Sequence, residues 1–167
     1  MKSLVDEVHE WNTPIIGAFL LWHFSLGYKR NHPTGESPVV LLHFIAAGIL
    51  SSNVFLDKIS KHRPNLESFV RCFTESNESD LLACLHQRII SKRAYTSAAI
   101  DIAVSSGLLV WDYDKAELYP REISTNKRGK TQVGKDTKKM ADKAETLGKW
   151  FSKHDIISIT SYLGVVL

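Results

Sequence analysis

Apolar side chains recur at helical spacing through the N-terminal part of the chain. They begin after Thr13-Pro14 and continue to Leu26, and turn-forming residues follow at positions 31–35. A capping hydroxyl followed by proline favours a helix start, because proline lacks an N–H that would stay unpaired in the first turn. The pattern predicts a first helix that ends near Gly27. Residues 39–50 are apolar nearly all round, which predicts a buried second helix.

The pattern changes in residues 79–120. Apolar positions in 81–90 and 97–103 predict two helices separated by the polar residues 91–93. Two β-prone runs then flank a turn at residues 112–115, which predicts a hairpin. Helix, short turn, helix and hairpin is the order of a winged helix-turn-helix. The sequence therefore predicts a mainly α fold of α+β composition, with a winged-helix-like second half.

The chain has the length of one domain, and its 44% hydrophobic and 23% charged residues exclude wholesale disorder. We expect a single domain over residues 1–167. Its predicted parts are an N-terminal helical part (11–75), a winged-helix-like part (79–120), an exposed basic loop (124–134) and C-terminal helices (135–167). Asp155 is predicted to cap the last helix and Gly164 to end it.

Several features point to the cytoplasm. The longest apolar stretch, residues 38–50, is shorter than the ~20 residues of a membrane-spanning helix. Acidic residues among the first ten argue against a secretion signal. The two cysteines, Cys72 and Cys84, are too few for a disulfide framework, and both are predicted to be buried in helices.

Positive charge is concentrated towards the C-terminus. Residues 1–120 hold 11 Lys and Arg against 13 Asp and Glu, whereas residues 121–167 hold 10 against 5. The candidate nucleic-acid contacts are Lys92, Arg93, Lys127, Arg128, Lys130, Lys135, Lys138 and Lys139. Because the predicted second helix carries Asp101 and no basic residue after Arg93, sequence-specific base recognition is disfavoured. Non-specific phosphate contact and a merely solvated face remain as alternatives.

Motifs for catalysis or metal binding are missing from the sequence. It has no GxxxxGK[ST] phosphate loop and no GxSxG nucleophile motif. The seven histidines lack the spacing of metal ligands, and we expect His23 and His43 to be core residues. We therefore expect no catalytic residues, no cofactor and no metal, and the protein is not predicted to be an enzyme.

Aromatic side chains are clustered in the N-terminal part. Residues 8–54 carry more apolar bulk than one small helical layer can bury, and uncovered apolar surface on a small protein usually marks a partner interface. The candidate interface residues are Trp11, Trp22, Phe24 and Tyr28.

Short motifs at both ends of the chain resemble a known family. They are NTPIIGA at 12–18, LWHF at 21–24, Gly27-Tyr28, KAETLGKWF at 143–151 and YLGV at 162–165. From residue 11 to residue 165, the chain is similar to the middle component of three-component ABC ATPase conflict systems. These systems include the Lamassu type of anti-phage defence, in which a small subunit accompanies an SMC-like ATPase and an effector, often a nuclease.

This resemblance implies a non-catalytic adapter in a hetero-oligomer, whose partners are an SMC-like ABC ATPase subunit and a nuclease-like effector. DNA phosphate is a candidate further contact, and no membrane partner is implied. The family supplies no catalytic residues to carry over. The alternative from the residues alone is a free-standing winged-helix DNA-binding protein.

Overall fold

A computed structural model of the chain describes residues 13–123 and 134–167. These residues form a mainly helical fold with a two-stranded antiparallel sheet, so the predicted mainly α class is confirmed, while the winged-helix-like arrangement of the second half stays a prediction. The elements are α1 (Pro14–Asn31), α2 (Val40–Leu50), α3 (Asn53–Lys58), α4 (Leu66–Glu75), α5 (Ser79–Ala83), α6 (Leu85–Ser91), α7 (Arg93–Ser105), β1 (Leu109–Asp112), β2 (Glu117–Pro120), α8 (Lys135–Phe151) and α9 (Ile156–Leu163).

Helix α1 begins where the sequence predicts. Thr13 is the N-cap, its hydroxyl accepts the N–H of Ile16 at 3.5 Å, and proline occupies the first helical position. The predicted end near Gly27 is wrong, because the helix continues to Asn31. The side-chain amide of Asn31 donates to the Gly27 carbonyl at 2.8 Å and closes the last turn.

The central element is α1, which packs against α8, α7 and α2. Its closest approach is to α8, where each helix contributes a glycine. A Cβ added at Gly148 would lie 2.1 Å from the carbonyl oxygen of Phe24, and one added at Gly27 would lie 2.2 Å from that of Glu145. The two backbones can approach this closely because neither position carries a side chain.

The C-terminal helix α9 has the predicted ends. A carboxylate oxygen of Asp155 accepts the N–H of Ser158 at 2.7 Å, which caps the helix. Gly164 follows in the left-handed conformation at φ 65°, which glycine adopts without steric cost. The helix packs against α4 through buried residues that include Ile159 and Leu163.

The predicted hairpin is confirmed. Strands β1 and β2 pair antiparallel, with Leu109 opposite Pro120 and Asp112 opposite Glu117. Val39 makes a further antiparallel bridge to Glu117, so the chain segment before α2 lies beside β2.

The helices before the hairpin differ from the sequence expectation. The predicted helix over 81–90 is divided at Cys84 into α5 and α6, and one residue, Lys92, separates α6 from α7. Because Cys84 lies at the α5–α6 junction, its side chain is exposed and its predicted burial is wrong. Cys72 is buried in α4, as predicted, and its thiol donates to the Phe69 carbonyl at 3.0 Å.

Candidate interaction surfaces

Two of the predicted interface aromatics belong to the core. Phe24 is fully buried, and its ring meets those of Phe151 and His43 edge-on at centroid distances of 5.5 Å. Tyr28 is buried too, and its ring stacks on that of His32. The expectation that these two side chains are left uncovered is wrong, because α1 is packed by several helices rather than by one layer.

Trp22 retains exposed surface. Its indole N–H donates to the Arg121 carbonyl at 2.9 Å, and its ring centroid lies 6.1 Å from that of Phe19. Ile15, Phe19 and Trp22 are spaced by four and three residues, so they share one helix face, and Ile15 is 69% exposed. We call these three residues the α1 stripe. Trp11, the fourth predicted interface residue, lies outside the described residues.

A stacked aromatic pair on the hairpin was not among the predicted site residues. The rings of Trp111 and Tyr113 stack at 5.6 Å with an interplanar angle of 9°, and Tyr113 is 83% exposed. Stacking on Trp111 holds this tyrosine in place at the start of the hairpin turn. Two aromatic residues in three positions beside a turn are the signal that the sequence offered.

The candidate nucleic-acid residues occupy separate helices. Lys92 is half-buried at the α6–α7 junction, its ammonium lies 4.9 Å from the centre of the Tyr95 ring, and Arg93 next to it is exposed. Burial, together with the charge of Arg88, lowers the pKa of Lys92.

On α8, the candidates Lys135, Lys138 and Lys139 are exposed in the first turns, and Lys139 lies 3.8 Å from a carboxylate oxygen of Asp136. No hydrogen bond or ion pair among the described residues joins them to Lys92 or Arg93. Lys127, Arg128 and Lys130, like nearly all of the predicted basic loop, lie outside the described residues.

A cleft of about 320 Å³ opens between the C-terminal end of α1, the C-terminal half of α8 and the segment 61–64. We call it the basic cleft. Its charged lining residues are Arg30, Lys61, Arg63, Lys149, Asp142 and Glu145. None of them was a predicted site residue, because the four cations are too far apart in sequence to form a motif.

The carboxylates of the cleft have basic partners within the chain. One oxygen of Glu145 lies 2.7 Å from Nδ1 of His23 and 4.0 Å from a guanidinium nitrogen of Arg30. The hydrogen bond to His23 lowers the pKa of Glu145, with smaller contributions from nearby charges. An oxygen of Asp142 lies 3.5 Å from the ammonium of Lys61.

His43 lies in the core as predicted, whereas the predicted core position of His23 is wrong, because this side chain is only half-buried and faces a carboxylate. His43 is fully buried, with Nε2 2.7 Å from the Ser25 hydroxyl and Nδ1 3.2 Å from the Val39 carbonyl, while half-buried His23 contacts Glu145. Within residues 13–123 and 134–167, no three His, Cys, Asp or Glu side chains are grouped as metal ligands would be. In the same residues, every helix is too short or too polar to cross a bilayer.

Comparison with known protein families decides the family. The model of the ABC-three component (ABC-3C) system Middle Component 3 matches residues 1–167. The chain belongs to the Middle Component 3 family. This confirms, at the level of the family, the middle-component resemblance of the sequence motifs. Comparisons with curated proteins and with solved structures give no match.

As a Middle Component 3 protein, the chain is one component of a multi-component ABC system. The match includes the α1 stripe and the basic cleft, and it extends over Trp11 and the basic residues 127–130. It assigns a role to none of these residues, and the predicted site residues other than the buried Phe24 and Tyr28 stay predictions.

Proposed function

We propose that this protein is a non-catalytic adapter subunit of a Lamassu-like anti-phage defence complex in the cytoplasm. It connects an SMC-like ABC ATPase to an effector, which we infer to be a nuclease. The observation that carries the proposal is the family match over residues 1–167, which makes the chain a middle component of an ABC-three component system. Such a component acts with other subunits, so its surfaces are expected to bind protein.

The α1 stripe is the surface that we propose for the ATPase. Ile15, Phe19 and Trp22 form a partly exposed apolar face, and tryptophan is enriched among the residues that dominate binding energy at interfaces. The Trp22 N–H is already bonded to the Arg121 carbonyl, so a partner can cover the ring without leaving that donor unpaired.

The effector is proposed to contact the hairpin. Tyr113 presents a large and already ordered aromatic surface, because its ring stacks on Trp111. A rigid aromatic side chain loses little conformational entropy when a partner covers it. Two separate surfaces would allow one small subunit to hold two larger proteins together.

Co-purification of the three proteins tests the bridging role. With a tag on the ATPase, we expect the effector to co-elute when this chain is co-expressed and to be absent when it is omitted. Efficient recovery of the effector without this chain would contradict the adapter role. Failure of this chain to bind the ATPase would do so as well.

Substitutions on α1 test the proposed ATPase surface. Trp22→Ala should weaken ATPase binding by about 30-fold, corresponding to a hot spot of ~2 kcal/mol. Ile15→Ser provides a second variant at the same face, because the Ile15 side chain is 69% exposed and its replacement leaves the core intact. Ile157→Ser is the matched control, since this isoleucine is 74% exposed on α9, which packs against α4. Binding that is unchanged in both α1 variants would exclude the stripe.

A free-standing winged-helix DNA-binding protein is the second candidate. The observation in its favour is that α7 is followed directly by the hairpin, with Val39 adding a bridge on the far side of β2. The exposed residues of α7 include Asp101 and, at its first position, Arg93, which is a poor set for contacts with base edges. Tight, sequence-selective DNA binding by the isolated chain would favour this candidate over the adapter.

A further inference from the structure

The basic cleft has more cationic side chains than its two carboxylates can neutralise. Four of its lining residues are cationic and two are anionic. Asp142 is paired with Lys61, and Glu145 is engaged by His23 and Arg30. Within the described residues, no carboxylate lies within 4 Å of the charged groups of Arg63 or Lys149. These two side chains remain free to bind an anion.

The Arg63 side chain is already held in place before any ligand binds. Nε of Arg63 donates to the Lys58 carbonyl at 3.0 Å, which fixes the side chain and leaves its terminal nitrogens as donors. At the rim, the ammonium of Lys153 is held by the Asn31 carbonyl at 2.7 Å, so a further positive charge lies beside the opening. A guanidinium that is already positioned loses less conformational freedom when it binds an oxyanion.

We propose that the basic cleft binds the phosphate group of a small or terminal phosphate-bearing ligand. A volume of about 320 Å³ is at the lower end of the range for small-ligand sites, and it admits a compact group rather than a long acidic segment. A phosphate carries up to two charges and several acceptor oxygens, which matches two free cations better than a single carboxylate does. The two free cations and the small volume of the cleft therefore favour a phosphate group as the ligand.

A titration of the full chain tests the proposal. Pyrophosphate, adenosine monophosphate and a short 5′-phosphorylated DNA duplex are added separately in low-salt buffer, and binding is followed by amide chemical shifts and calorimetry. We expect shifts centred on residues 27–31, 61–64 and 142–150 for at least one phosphate probe. Binding of the small probes identifies a free phosphate ligand, whereas binding of the duplex alone identifies a nucleic-acid phosphate as the source.

Variants at the exposed cation separate a specific site from general charge attraction. Lys149→Gln should weaken phosphate binding by about tenfold, since it removes one charge-assisted hydrogen bond to the anion, and Lys149→Arg should retain binding. Arg71→Gln is the control, because it removes one exposed charge from α4 outside the cleft.

Equal weakening by Arg71→Gln and Lys149→Gln would overturn the proposal, as would the absence of binding by every phosphate probe. Binding of a glutamate-rich peptide in place of phosphate would overturn the ligand class. Phosphate binding by the cleft does not depend on the adapter function. Failure of phosphate titration would leave the ATPase co-purification result unchanged, and the reverse is also true.

Discussion

At the scale of single residues, the burial of His43 makes the stability of the fold depend on pH. Its ring is fully buried, and burial lowers its pKa to about 4, against smaller opposing effects of hydrogen bonds at Val39 and Val40. In the neutral ring Nδ1–H donates to the Val39 carbonyl, and Nε2 lies 2.7 Å from the Ser25 hydroxyl oxygen, which also lies 2.9 Å from the Leu21 carbonyl. Protonation would place an uncompensated charge among apolar side chains.

The depressed pKa of His43 predicts a loss of stability in mild acid. In the unfolded chain the His43 ring binds a proton near pH 6.5, whereas in the folded chain it does so near pH 4. The free energy of unfolding should therefore fall as the pH drops between these values. Between pH 7 and pH 5, His43 should contribute a loss of about 2 kcal/mol.

Urea unfolding of the wild type and of His43→Gln at both pH values measures this loss. The variant should be less stable at pH 7, because it disturbs a packed core, but it lacks the histidine titration. We expect the stability difference between the two proteins to narrow by about 2 kcal/mol at pH 5. A difference that is the same at both pH values would show that His43 does not titrate as the structure implies.

At the scale of elements, the helix ends fixed by local capping residues were predictable, whereas the packing between helices was not. Thr13, Asp155 and Gly164 act through local chemistry, so the sequence alone locates them. The role of Gly27 depends on α8, more than a hundred residues later, so the neighbouring sequence predicts a helix end at this glycine instead. The burial of Phe24 was missed for the same reason, because a stripe on one face does not reveal how many neighbours a helix has.

The α1–α8 crossing predicts a large effect from one added methyl group. Alanine favours a helix over glycine by about 1 kcal/mol, but at position 148 its Cβ would lie 2.1 Å from the backbone of Phe24. Backbone cannot move aside as a flexible side chain can, so overpacking should outweigh the gain. We expect Gly148→Ala to lower the stability by about 2 kcal/mol, or roughly 4–8 °C in Tm.

Thermal unfolding followed by circular dichroism measures this effect, and Gly134 supplies the control. Gly134 is the N-cap of α8 and a Cβ there meets its nearest atom at 3.9 Å, so Gly134→Ala causes no overlap and should cost only the difference between a glycine and an alanine N-cap, about 0.5–1 kcal/mol. Equal melting temperatures for the wild type and Gly148→Ala would show that the two helices are farther apart than the structure places them.

At the scale of the whole molecule, the overall distribution of charge could be predicted from the sequence, whereas the basic cleft could not. The excess of positive charge in residues 121–167 was evident from the sequence. The basic cleft was not evident from the sequence, because only the fold brings its three segments together. These segments contribute Arg30, the pair Lys61 and Arg63, and Lys149. The hairpin could be predicted from neighbouring residues, whereas a site assembled from three distant segments could not.

The candidate contact of the basic residues 127–130 with DNA phosphate, which the sequence leaves as one alternative, predicts a change in salt dependence. Replacing Lys127, Arg128 and Lys130 together with glutamine should weaken binding to duplexes of any sequence to a similar extent. The slope of log affinity against log salt should fall by about 0.9 for each DNA phosphate that the variant no longer neutralises. Fluorescence anisotropy over a series of salt concentrations measures both quantities.

Arg71→Gln combined with Lys115→Gln, which removes two charges rather than three, is the control for this experiment, because Arg71 is exposed on α4 and Lys115 is exposed in the turn between β1 and β2. An unchanged slope in the triple variant would assign these three residues to protein contact or to solvation alone. A slope that falls in the control by the same amount per charge removed would indicate that net charge, rather than a defined contact, attracts the DNA.

The division of the predicted helix at Cys84 has a practical consequence. One of the two cysteines is exposed at the α5–α6 junction, while the other is enclosed in the core. A maleimide dye would therefore attach at a single natural position without mutagenesis. Energy transfer from that dye to a labelled companion protein would report the geometry of the assembly in solution.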